Sequence, residues 1–178
     1  TLRVAKAGIL AAKKRAGNAE GVKAMMWMGW ALAALGFALL FGQYATGQAD
    51  IFLSIANPRP LYSPHLDYSE ETRGELKIFF AARELRTRYG EAALPNAIIS
   101  KTDSVSDLLE VALLLKEAGL LQPASPLGAG QPPKLGMNII PLFETIGDLR
   151  NGPSIMQRLF ALSAYRALVR SRGDEQEV

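Results

Sequence analysis

A short apolar segment of the chain ends on an acidic residue that could take part in chemistry. The segment NIIPLFETIGDLRN occupies 138–151, and its aliphatic side chains and Phe143 lead directly to Glu144. The aliphatic run predicts a buried strand, because strands covered on both faces are almost continuously hydrophobic. A carboxylate at the tip of such a strand often binds a metal ion or a proton in an enzyme. The alternative is that Glu144 simply begins the next loop.

The chemistry open to Glu144 depends on the architecture around its strand. In a β/α barrel, side chains at the carboxyl ends of the strands converge on the active site. A carboxylate there suits Mg²⁺ or Mn²⁺, which prefer hard oxygen ligands. Such a metal would polarise a carbonyl or stabilise an enolate. Asp148 is expected to be an ordinary acid in the first turn of the following helix.

The elements that must position Glu144 are three helices and two strands. Ser69 can cap a helix over 67–90, and Gly90 can end it. Ser104 with Asp107 forms an S-x-x-D start for a helix over 103–121, which Gly119 ends. Strands are predicted at 96–100 and 137–143, separated by a Pro/Gly loop at 122–134. The last helix is predicted to begin near Pro153, a residue suited to a first helical position, and to break near Ser163.

This order of helices and strands predicts an α/β fold. Strands separated by helices pair in parallel, and dry strands imply a sheet covered on its faces. Two strands alone cannot make a stable sheet of that kind. The chain is therefore expected to contribute consecutive β/α units to a larger barrel or doubly wound sheet.

Charge and composition separate the first part of the chain from the rest. The net charge is +3, but 1–23 carries six Lys and Arg against one Glu, so the remaining residues sum to −2. A basic nucleic-acid surface on the main body is not indicated. The chain contains no Cys, which excludes disulfides and thiolate metal sites.

The segment 24–49 contains no charged residue and no His, and is long enough for a helix across a bilayer. The alternative is a buried helix, which the high Ala and Gly content favours, and a reading-frame error over about 3–55 or a fusion joint is a third interpretation. A connector with Pro58, Pro60 and Pro64 follows. We therefore divide the chain into a divergent segment, 1–56, and an α/β segment, 57–178.

The stretch MNIIPLFETIGDLRNGPSIMQRLF is the first of four ordered blocks of the second segment that resemble phosphoenolpyruvate carboxylase, and it is similar to a barrel strand, turn and helix of that family. Upstream, PRPLYSPHLDYSEETRGELKIF and RYGEAALPNAIISKTDSVSDLLEVALLLKEAGLL recur in the same order. Downstream, YRALVRSRGDEQEV resembles the approach to the family's next strand. The resemblance covers about 57–178.

The resemblance implies a fold, a reaction and one site residue. The family is a cytoplasmic, usually tetrameric, TIM-type barrel enzyme with mostly helical surroundings. It is a carbon–carbon lyase that fixes bicarbonate onto phosphoenolpyruvate with Mg²⁺ or Mn²⁺, giving oxaloacetate, a tricarboxylic acid cycle intermediate, and phosphate. Glu144 matches the family's metal-ligand glutamate. The second acidic ligand and a Lys belong to a strand past Val178, and the catalytic His lies far upstream. The resemblance therefore implies a fragment that is inactive alone and holds no catalytic residue.

Other candidate residues are weaker. His65 is expected at the surface of the connector. Arg150 and Arg158 are expected near the active-site face by topology. Further arginines on predicted helices or the connector are expected to be solvated or paired rather than to bind anions: Arg59, Arg73, Arg83, Arg86 and Arg88.

Two other functions remain open from the residues. One is a single-pass membrane protein, spanning at 24–49, with a helical module that has no chemistry. The other is a degenerate, inactive family member that acts as an assembly partner.

Overall fold

The computed structural model describes residues 46–124 and 130–178. Most of the apolar segment predicted at 24–49, and with it the interpretation of a membrane span or a frame error there, lies outside the described residues. Its last four residues open the first described helix, Thr46–Ala56. Within the described part of the chain, no helix combines the length and the hydropathy needed to cross a bilayer.

The described residues form five helices and four short strands. The helices are α1 Thr46–Ala56, α2 Glu70–Tyr89, α3 Val105–Glu117, α4 Ile146–Ala161 and α5 Ser163–Arg170, with a single 3₁₀ turn at Glu91–Ala93. The strands are β1 Asn96–Ile99, β2 Leu121–Gln122, β3 Lys134–Leu135 and β4 Asn138–Pro141.

The two predicted strands pair in parallel, as expected from the helix between them. Asn96 lies opposite Asn138, and Ile99 lies opposite Pro141. The short strands β2 and β3 form an antiparallel pair that the sequence pattern did not predict. The described residues thus form a mixed helix and strand structure, mostly helical with little sheet, in which no closed barrel is present.

Helix α3 is the centre of the core. Its residues from Leu108 to Glu117 are all buried, and it contacts α1, α2, α4 and β4. A helix that is hydrophobic almost all round must be enclosed on every side. Each fully buried leucine of this helix contributes about 1.5–3 kcal/mol relative to exposure. The predicted start is confirmed, because Ser104 and Asp107 form a reciprocal capping box.

The start of α4 corrects the prediction at Pro153. The helix begins at Ile146, and Pro153 lies inside it. Thr145 Oγ1 accepts a hydrogen bond from the Asp148 N–H, and the Asp148 carboxylate accepts one from the Thr145 N–H. This box satisfies the first free donors of the helix well before the proline. The predicted break near Ser163 is confirmed, since extended Leu162 separates α4 from α5.

The Pro-rich connector is held against the end of α3 by a buried acid. Glu117 Oε2 accepts hydrogen bonds from the backbone N–H groups of Leu61 at 2.7 Å and Tyr62 at 2.6 Å. Lys116 Nζ donates to the carbonyl of Arg59 and lies 3.0 Å from Glu117 Oε1. The Glu117 side chain is 0% exposed. This cluster fixes the connector to the core.

Candidate functional site

The carboxyl ends of β1 and β4 lie side by side and form one edge of the parallel pair. The Leu142 N–H donates to the carbonyl of Ile99 at 2.9 Å, and the Thr102 N–H donates to the carbonyl of Leu142 at 3.1 Å. The loops that follow both strands are therefore joined at this edge. Glu144 follows Leu142 in the loop between β4 and α4, on the side predicted from the strand order.

The Glu144 side chain is exposed at this edge. Among the described residues, no hydrogen bond or ion pair joins its carboxylate to another group. An exposed carboxylate without a partner within the described chain keeps its oxygens available for a ligand. A metal ligand must have free oxygens of this kind. An acid that simply begins a loop can have them as well.

The neighbours of Glu144 fix the backbone on both sides of it. After it, Thr145 and Asp148 close the capping box of α4, so the Asp148 carboxylate is engaged by the backbone. Before it, Phe143 packs against the core and lies close to Gly152, where an added Cβ would stand 3.2 Å from the ring. The two acids of this segment thus differ in role. Asp148 lies in the first turn of the helix, as predicted, and also caps it, whereas the Glu144 side chain is exposed.

The loop after β1 adds residues to the same edge that sequence reasoning did not single out. Lys101 adopts a φ of 53°, in the left-handed region that non-glycine residues seldom occupy. Thr102 is fully buried, and its Oγ1 has no hydrogen-bond partner within the described chain. The motif around Ser104 identified this loop only as a helix start. Neither the backbone conformation nor the burial has a sequence signal of its own.

None of the predicted arginines forms an ion pair with Glu144 within the described chain. Arg150 and Arg158 are exposed on α4, and Arg158 Nε donates to the carbonyl of Ser154. Arg86 is buried and donates to the carbonyls of Glu91 and Leu94.

The remaining arginines and the histidine are surface groups, as predicted. Arg73 pairs with Asp67 at 3.8 Å. Arg83 and Arg88 lie over the rings of Phe80 and Tyr89. Arg59 and His65 are exposed in the connector.

The described residues fit a divalent cation only in part. A carboxylate is the hard oxygen ligand that Mg²⁺ and Mn²⁺ prefer, and these ions often take only one or two protein ligands. Within 46–124 and 130–178, no three acidic or histidine side chains converge to form a complete metal site. Glu144 can therefore supply one ligand and not a whole site.

Comparison with known proteins identifies the family. The family model for phosphoenolpyruvate carboxylase matches residues 44–178, a match that begins upstream of the Pro-rich connector. Among curated relatives, the phosphoenolpyruvate carboxylase of Aromatoleum aromaticum is 59% identical over 120 residues, covering 67% of this chain and 12% of the relative.

Two further relatives carry the same name. That of an Azoarcus species is 50% identical over 142 residues, covering 79% of this chain and 15% of the relative. That of Azorhizobium caulinodans is 54% identical over 124 residues, covering 70% of this chain and 12% of the relative. The chain thus spans only 12 to 15% of the length of these relatives. The family match covers more than half of this chain, and the chain belongs to the phosphoenolpyruvate carboxylase family.

Proposed function

We propose that this chain is a segment of a phosphoenolpyruvate carboxylase, which adds bicarbonate to phosphoenolpyruvate and releases oxaloacetate and phosphate. The family match and the names of the relatives support this reaction class. The observation that carries the proposal is the position of Glu144. It stands exposed at the carboxyl end of a parallel strand, in the turn whose sequence resembles that of the family.

We propose that Glu144 is a ligand of Mg²⁺ or Mn²⁺ in the complete enzyme. When bound, the cation supplies positive charge that stabilises the negative charge developing on the substrate. The chain's own contribution is positional. Phe143, packed on the core, and Thr145, in the capping box, hold the backbone on either side of Glu144, so little freedom is lost when its carboxylate binds.

The parallel pair belongs, in this proposal, to a β/α barrel that other parts of the enzyme complete. A groove of about 1010 Å³ runs along β1 and beneath α2. Its apolar lining includes Ile98 and Ile78, which are 59% and 62% exposed. Apolar surface of this kind beside a strand edge is unusual in a finished domain and suits a further strand or helix.

The remaining expectations concern the complete protein. We propose that it is a cytoplasmic homotetramer, in keeping with the family resemblance. The segment alone is expected to be inactive, because one carboxylate cannot bind the cation, phosphoenolpyruvate and bicarbonate together.

The reaction can be tested by grafting. The 120 residues of this chain that match the Aromatoleum aromaticum enzyme would replace the corresponding region of that enzyme, and oxaloacetate formation would be measured with Mg²⁺. We expect the graft to turn over and Glu144→Gln to lower kcat/KM by at least about 100-fold, as expected for losing a metal ligand beside the reacting charge.

The matched control is Asp148→Asn, which neutralises the neighbouring acid but keeps a side chain able to cap α4. It is expected to stay within a few-fold of the unmodified graft. Circular dichroism and gel filtration would establish that both variants fold and assemble. Near-normal turnover of Glu144→Gln at ordinary Mg²⁺ concentrations would rule out the proposed role.

A further inference from the structure

A second, polar groove lies at the other end of the strands. It has a volume of about 230 Å³ and is bordered by α2 and by the antiparallel pair β2 and β3. Lys134 begins β3, which leads through a short turn into the amino end of β4. Glu144 lies beyond the carboxyl end of that strand, so this groove is separate from the site described above. The residues that line this groove include Arg83, Arg86, Glu91, Gly119 and Lys134.

Positive charge exceeds negative charge in this groove. Glu91 is shared by two cations, with Oε2 at 3.7 Å from Arg86 and Oε1 at 3.4 Å from Lys134. Arg83 has no acidic partner within the described chain, and its guanidinium lies over the ring of Phe80. Three cations therefore face one carboxylate. The excess of two positive charges matches a dianion.

The cations differ in how firmly they are held. The Arg86 side chain is only 6% exposed and donates to two backbone carbonyls, which fixes its charge at the base of the groove. Arg83 lies on the same face of α2, one turn earlier. Its side chain runs beside Gly119, whose added Cβ would stand 3.7 Å from the guanidinium. Lys134 approaches from β3 and is 61% exposed. A ligand would thus meet one fixed and two adjustable cations.

We propose that this groove binds a small phosphorylated compound through its phosphate group. The planar guanidinium of Arg83 can donate two parallel hydrogen bonds to phosphate oxygens, and Lys134 acts as a point charge from the opposite side. A bound dianion would join α2 to β3. The volume accommodates a phosphate with a small organic group, and inorganic phosphate would occupy only part of it.

The test uses inorganic phosphate as the probe and the full 178-residue chain. Binding would be followed by amide chemical shifts at constant ionic strength, with chloride replacing phosphate in the reference series. We expect a saturable response, with Arg83→Gln and Lys134→Gln each raising the dissociation constant about tenfold or more. The matched control is Arg88→Gln, which removes the same charge from the same helix but does not border the groove.

Glu91→Gln gives a test of opposite sign. Removing the only carboxylate among the groove's described lining residues is expected to tighten phosphate binding several-fold, because two cations lose their internal partner. The proposal fails if phosphate produces no saturable response. It also fails if Arg83→Gln and Arg88→Gln weaken binding equally, since that would indicate a general surface charge effect. Once inorganic phosphate binds, competition by simple phosphate monoesters distinguishes a phosphorylated metabolite from free phosphate as the preferred ligand.

Discussion

Two glutamates of this chain occupy opposite environments. Glu144 is exposed at the edge of the parallel pair and has no partner among the described residues. Glu117 is fully buried, and its carboxylate accepts two backbone hydrogen bonds and contacts Lys116. The Glu144 carboxylate is available to a ligand, whereas the Glu117 carboxylate is already occupied by hydrogen bonds within the chain. The two side chains are chemically identical, so the difference between them comes only from their surroundings.

The buried acid predicts a large effect of mutation on stability. Glu117→Ala would leave two half-buried backbone donors and the buried Lys116 ammonium without their acceptor. We expect the free energy of unfolding to fall by about 3–5 kcal/mol, the usual cost of breaking a buried charged pair. Urea unfolding of the chain, followed by circular dichroism, measures this change.

The control for Glu117 is Glu84→Ala on the exposed face of α2, which is expected to change the unfolding free energy by no more than about 0.5 kcal/mol. A loss below about 1 kcal/mol for Glu117→Ala would contradict the interpretation that the carboxylate holds the connector. Increased amide exchange at Leu61 and Tyr62 in a surviving variant would locate the effect in the connector.

At the scale of elements, two glycines illustrate opposite constraints. Gly136 joins β3 to β4, and its N–H donates to the carbonyl of Leu120 at 2.7 Å. A Cβ added there would stand 2.5 Å from that carbonyl oxygen. Gly74 lies within α2, where an added Cβ would have no atom within 4 Å. There is no room for a side chain at Gly136, whereas a side chain would fit at Gly74.

These surroundings predict mutations of opposite sign. Gly136→Ala must push the strand away from Leu120, and we expect a loss of about 1–3 kcal/mol in unfolding free energy. Gly74→Ala reduces the backbone freedom lost on folding and is expected to stabilise the chain by about 0.5–1 kcal/mol. Parallel urea titrations of the two variants provide the comparison. Equal effects at both positions would contradict it.

The elements that sequence reasoning predicted are those with local signals. Helix α3 has its capping box and a long apolar run within a few turns, and the parallel pairing follows from strand–helix–strand order. The pattern predicts too late a start for α4 because Pro153 suits a first helical position, although Thr145 and Asp148 already provide a cap. Strands of two residues, such as β2 and β3, are too short to produce a pattern.

The residues of the site could likewise be predicted only where they have a local sequence signal. The place of Glu144 follows from its strand, and its proposed role follows from the family resemblance. Glu117 gave no comparable signal, because its hydrogen bonds reach back more than fifty residues to Leu61 and Tyr62. From the neighbouring sequence alone, an acid near the end of a helix is predicted to be exposed to solvent. Contacts between residues so far apart in the sequence form only in the assembled fold. The periodicity of the sequence carries no information about them.

At the scale of the whole molecule, the proposed function makes the chain one segment of a larger architecture. It spans 12 to 15% of the relatives it matches. It contributes a parallel pair, the helices that cover it and one available carboxylate. The apolar groove beside β1 and the lack of further metal ligands around Glu144 among the described residues both agree with the proposal that other segments complete the fold and the site.

The most direct test of the central proposal is the affinity of the assembled enzyme for Mn²⁺. Free Mn²⁺ would be measured by electron paramagnetic resonance during titration of the grafted enzyme and its Glu144→Gln and Asp148→Asn variants. We expect Glu144→Gln to raise the dissociation constant at least about tenfold, a loss of about 1.4 kcal/mol, and Asp148→Asn to leave it nearly unchanged. An unchanged Mn²⁺ affinity in a folded Glu144→Gln variant would contradict the assignment of this carboxylate as a metal ligand.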